Sequence, residues 1–176
     1  RSLRSPLLRK KILKKFLNLA TGEFTAVAVF VIVVYLLMER FPELRLLSHG
    51  PFWSAFLTLE FILLQGSLYW FLNYRSLQKN SASVPFGAIR AYRILQILDL
   101  GLIGLSLILF IIGSFRDPGF PVISLAISIF VLLFAMAEYV NYFHYQLSYK
   151  MAEWPLVIRS GRLKKSCLSK DFHKMK

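Results

Sequence analysis

Residues 121–149 read PVISLAISIFVLLFAMAEYVNYFHYQLSY, and residues 121–137 carry no charged side chain. A helix needs about 20 mostly apolar residues to cross a ~30 Å hydrocarbon core, so this run is long enough to span one. Inside lipid the backbone has no water to bond with, which makes the segment helical in spite of its Val, Ile and Phe content. Its second half is different in kind. Glu138, Asn141, His144, Tyr145 and Ser148 fall within one third of a helix circumference at about 100° per residue. Ionisable groups are costly in an apolar helix, so this stripe is expected to face protein or water and to be a candidate site.

Three more apolar runs precede it: about 19–38 with Glu23 near its start, 51–73 with Glu60 and Gln65 inside, and 91–113 with Gln96 and Asp99 in its first turns. The expected fold is an all-α integral membrane protein, four transmembrane helices in an antiparallel bundle over residues 19–149. The chain is 56% hydrophobic and 18% charged, with a mean hydropathy of +0.55, which suits a bilayer and not a soluble domain. A single cysteine, Cys167, excludes an internal disulfide framework and a Cys-based metal cluster.

The net charge of +13 would suggest nucleic acid in a soluble protein. Here the cations flank the apolar runs, and no nucleic-acid partner is expected. Lys and Arg number seven up to Phe16, four in residues 74–93 and eight in residues 150–176, against two in residues 39–50 and one in residues 114–120. Cytoplasmic loops carry the excess of Lys and Arg, so both termini and the middle loop are expected in the cytoplasm of a bacterial-type inner membrane. Tyr69, Trp70, Tyr74, Tyr92, Tyr145, Tyr149 and Trp154 would mark the inner interface, and Trp53, Phe115 and Phe120 the outer one.

Residues 1–18 read as a basic amphipathic interfacial arm beginning near Pro6. Leu8, Ile12, Phe16 and Leu19 share one face, while Lys10, Lys11, Lys14 and Lys15 lie opposite as contacts for anionic head groups. Residues 150–176 read as a basic cytoplasmic tail. Proline and glycine bracket a short outer segment at 43–48, and Asp117-Pro118-Gly119 signals a tight turn.

The third helix would leave the cytoplasm and the fourth return to it. Gln96, Asp99, Glu138, Asn141 and His144 therefore share a depth, and Asp99 is expected opposite Glu138 or Asn141. Such a pair could share a proton, bind a cation, or pair with a His144 imidazolium. Equally, the same groups could be inter-helix hydrogen bonds worth about 1 kcal/mol each. Glu60, nine residues beyond Pro51, stands apart; contact with a second copy or another membrane subunit would satisfy it. Gly101 and Gly104, roughly opposite Asp99, read either as a partner-binding face or as packing against the first helix.

Glu138 and His144 are both possible ligands, but no metal site is expected of them, since the carboxylate-bridged spacing Glu-x-x-His has Asn141 in the histidine's place. No nucleophile elbow, phosphate loop, dinucleotide fingerprint or zinc spacing occurs, so no catalytic residue, metal or cofactor is expected. The expected role is an accessory, regulatory or immunity-type partner of another membrane component, working among anionic lipids or as a homo-oligomer. The alternative is a small oligomeric proton- or cation-coupled transporter or channel using Glu138, Asp99 and Glu60. An intramembrane enzyme acting on lipid comes third.

Overall fold

Four prolines set the entry points of four long helices. A computed structural model describes residues 6–79, 84–116, 121–147 and 164–173 of the chain. Helix α1 spans Pro6–Arg40, α2 Gly50–Gln78, α3 Phe86–Arg116 and α4 Val122–Phe143, with a short α5 at Cys167–His173. Pro6 and Pro51 occupy first-turn positions, and Pro85 and Pro121 immediately precede α3 and α4. Proline suits these places because its fixed φ is already helical and its missing N–H would have no helical partner. All four long helices are long and apolar enough to cross a membrane. The turn at 117–119, loop residues 80–83, and Ser148, Tyr149, Trp154 and Phe120 lie outside the described residues.

The long helices run up and down in alternation, which makes α2 and α4 parallel. They nevertheless pack directly against one another, and α2 touches all three of its companions. The bundle is thus a rhomb with α2 and α4 on its short diagonal. Small residues permit the close approach. Ser124, Ser128 and Ala135 of α4 are fully buried, and the Tyr142 ring occupies the space that a side chain at Gly66 would need. Leu59, Ile62, Leu63 and Leu132 fill the core between them. Tyr69 and Tyr92 belong to this core too, at 2% and 3% exposure, and not to an interfacial belt. By contrast α1 and α3 present Val29, Ile32, Leu36, Ile97, Ile108 and other large apolar side chains outward.

Three boundaries differ from the sequence reading. Residues 6–18 are not a separate arm: α1 is one unbroken helix of 35 residues, about 52 Å long at 1.5 Å per residue. No proline interrupts it after Pro6, and near the expected break the Thr21 hydroxyl donates back to the Leu17 carbonyl at 3.0 Å. This basic portion packs along α2. Arg9 donates to the Leu77 and Gln78 carbonyls at 3.0 and 3.1 Å, Phe16 stacks on Trp70, and Ser67 donates to the Ala20 carbonyl at 2.8 Å. Arg9 thereby caps the C-terminus of α2, where a cation complements the helix dipole.

The fourth helix stops at Phe143, short of residue 149. Asn141 helps to end it, its Oδ1 accepting from the Leu147 N–H at 2.8 Å beyond the helix. Such side-chain-to-backbone bonds compete with helix continuation. The tail, finally, returns to the bundle in its described part. The Ser166 N–H donates to the His144 carbonyl at 3.0 Å, and Tyr145 bridges to Lys165. Leu168 and Phe172 of α5 are buried, Arg93 lies 5.5 Å over the Phe172 ring, and the Tyr69 hydroxyl donates to Asp171 at 2.8 Å.

At the opposite end, residues 41–49 form two 3-10 turns, Pro42–Leu44 and Leu46–Ser48, joined by Arg45 in the left-handed region at φ 50°. Leu44 and Leu46 pack against Val34, Phe52 and Phe56. Ser124 donates to the Leu44 carbonyl at 2.6 Å, tying this turn to α4.

Candidate intramembrane polar site

The carboxyls expected to meet do not. A step of one residue turns a helical side chain by about 100°. On α4 it is Tyr139, not Glu138, that faces Gln96 and Asp99 of α3. Asp99 lies beside Tyr139, the chain neighbour of Glu138, but each carboxyl has its own company.

Asp99 is fully buried, and its Oδ1 accepts from the Gln65 amide of α2 at 2.8 Å. The Tyr92 hydroxyl donates to the Gln65 backbone carbonyl at 2.8 Å. Asp99 Oδ2 and Gln65 Oε1 are buried with no hydrogen-bond partner among the described residues. Across α4, Glu138 accepts from Asn141 Nδ2 at 3.1 Å and faces Glu23 of α1. The Tyr142 hydroxyl points toward the same Glu23, although no well-formed hydrogen bond joins them. Glu23 of α1, and not Asp99 of α3, is thus the acid in the electrostatic neighbourhood of Glu138. Glu23 and Glu138 both occupy half-buried positions. Among the described residues no three His, Cys, Asp or Glu side chains gather as a metal site would need.

His144 is exposed and outside the cluster. It is the C-terminal cap of α4, with its ring 5.5 Å from that of Tyr139. Glu60 is set apart, but not as expected. It is only 7% exposed, and neither carboxyl oxygen has a hydrogen-bond partner among the described residues. The pairs Phe16–Trp70 and Ala20–Ser67 fix an antiparallel register that brings Glu60 level with Val27 of α1. Glu60 is thus buried within its own chain before any second copy or other subunit is present.

Gly101 is exposed and Gly104 half-buried, and a Cβ at either would meet nothing within 4 Å. That excludes packing against α1 and leaves the α3 face open. Lys10, Lys11, Lys14 and Lys15 are all exposed on α1.

Sequence reasoning missed three features. Glu23 went unassigned, although its depth on α1 matches that of Glu138. Tyr142 was passed over as one ring among many. The third is a hydroxyl group at the far end, where Ser106 lies 2.8 Å from Ser54 and 3.2 Å from Thr58. Serine and threonine one turn apart on a span are the available signal for such a group.

Fold and site together define a multi-pass helical membrane protein with carboxyls inside its bundle. No protein-family model matches the sequence, and no curated protein or solved structure matches it either.

Proposed function

We propose that this chain is a non-enzymatic accessory or regulatory partner of another membrane component. The observation that carries the reading is the exposed apolar face of α1. The cavity beside the polar site has a volume of about 10 Å³, room for one water and not for a conducted solute. Within its apolar part α1 offers Val29, Ile32, Tyr35 and Leu36 outward, each at least 48% exposed. Both ends and the 79–84 connection lie on the cytoplasmic side of a bacterial-type inner membrane in this proposal, supported by the clustering of Lys and Arg. Lys10, Lys11, Lys14 and Lys15 then meet anionic head groups where α1 exceeds the ~30 Å core.

Photo-crosslinkers at Val29, Ile32 and Leu36, followed by mass spectrometry from native membranes, test the reading. One recurring membrane protein, or this chain itself, is expected in the adducts. The second reading, a proton- or cation-coupled transporter, is favoured by the neighbourhood of Glu23 and Glu138 and by Glu60, whose carboxyl has no hydrogen-bond partner among the described residues. Adducts with lipid alone, together with pH-driven flux in proteoliposomes that Glu138→Gln abolishes, would replace the first reading by the second.

A further inference from the structure

The basic end of α1 stands upright on the axis of its span. A helix lying flat in the interface would put Lys10, Lys11, Lys14 and Lys15 at one depth among the head groups. Here Arg9 donates to the Leu77 and Gln78 carbonyls, Phe16 stacks on Trp70, and Ser67 donates to the Ala20 carbonyl. These contacts hold the first turns of the unbroken helix along α2. The lysines are thereby stacked in two pairs, Lys14 with Lys15 and Lys10 with Lys11, about 6 Å apart at 1.5 Å per residue. All four are exposed. They fall within about 140° of the helix circumference, opposite the side that Arg9 and Phe16 turn to α2.

A hydrocarbon core of ~30 Å takes up residues 19–38 of α1, and the head-group layer adds about 5–8 Å on either side. Counted from Leu19, the lower lysine pair lies roughly 6–8 Å out, at the level of the lipid phosphates. The upper pair lies roughly 12–14 Å out, past an ordinary head group. No Asp or Glu occurs before Glu23, and Lys10–Lys14 and Lys11–Lys15 repel one another at i, i+4 spacing. A lipid with one phosphate relieves the lower pair alone. We propose that this two-level ladder binds a membrane lipid whose head group carries a second phosphate beyond the bridging one. The bridging phosphate pairs with Lys14 and Lys15, and the distal phosphate with Lys10 and Lys11. Each ammonium offers three donors, and hydrogen bonds between two charged groups are the strong ones. The ligand is a lipid and not a free phosphate compound, because the lower pair sits at the bilayer's own phosphate level. This site deepens the anionic-lipid contact proposed for α1 and rests on it.

Native mass spectrometry of the full chain tests it, with the protein released from detergent micelles that contain phosphatidylinositol or a phosphatidylinositol monophosphate. The wild type is expected to retain the monophosphate severalfold more than the parent lipid. Lys10→Gln with Lys11→Gln should erase that preference and leave retention of phosphatidylinositol nearly unchanged. Lys14→Gln with Lys15→Gln should weaken retention of both lipids. All four side chains are exposed, so neither double variant disturbs the packing. Equal retention of the two lipids by the wild type would overturn the proposal. So would equal losses in the two double variants, the result that total charge alone would give. A water-soluble inositol bisphosphate held as firmly as the lipid would overturn it too. In each of these cases the anionic-lipid contact itself survives if the lysine variants still lower phosphatidylinositol retention, and it fails with the ladder if none of them does.

Discussion

Among the described residues Glu60 has no hydrogen bond to forfeit, so neutralising it should cost the fold nothing. Burying an unpaired ionisable group is expensive, and an amide of the same shape removes the ionisation while keeping the packing. Glu60→Gln is therefore expected to melt in detergent at or above the wild-type temperature. A clear drop would mean that the carboxyl has a partner after all. His49 behaves differently because it lies outside the spans, in the turn before α2. Its side chain is 4% exposed, and burial pushes the imidazole pKa below its ordinary value of 6.5. The unfolded chain then binds the proton more readily than the folded one. Stability is fully present above pH 6.5 and is lost as the pH falls through that value and on through the lowered folded pKa. His49→Gln should flatten the melting profile below pH 6.5, and a slope equal to the wild type's would assign the acid sensitivity elsewhere.

Pairs of helices impose their own tests. The α2–α4 contact depends on Gly66, because Tyr142 stands where a methyl would go. Overpacking of this kind typically costs about 1–3 kcal/mol, so Gly66→Ala should lower the melting temperature. Gly101→Ala meets open space and should be neutral or slightly stabilising, since alanine favours helix by up to ~1 kcal/mol over glycine. Similar losses in both variants would contradict the packing described. The α2–α3 contact turns on Gln65 and Asp99. Asp99→Leu orphans the Gln65 amide and should cost about 1–3 kcal/mol. Adding Gln65→Leu should recover part of that loss, and a double mutant worse than the single would exclude the pairing.

At the scale of the whole molecule, the sidedness of the bundle comes first. In a Cys167→Ser background, a cysteine at Ser48 is expected to react with an impermeant reagent from outside, and one at Lys79 only after permeabilisation. Labelling of both from outside would refute the orientation proposed. The four spans were legible because continuous apolarity between prolines is a local property. The level of Asp99 along the bundle was legible as well, since it lies beside Tyr139, the chain neighbour of Glu138. Azimuth was not: which residue of α4 faces α3 depends on the rhombic arrangement, and that arises from Ser124, Ser128 and Gly66 drawing two parallel helices together. The return of residues 164–173 was equally hidden, for a basic segment with scattered apolar positions looks much the same whether docked or solvated. That return has a consequence for how the molecule is made. The Tyr69 hydroxyl and Asp171 are 102 residues apart. At roughly 5–20 residues per second, a ribosome delivers the acceptor on the order of 10 s after the donor. The end of the first hairpin at which α5 docks therefore stays incomplete until residues 164–173 have been made.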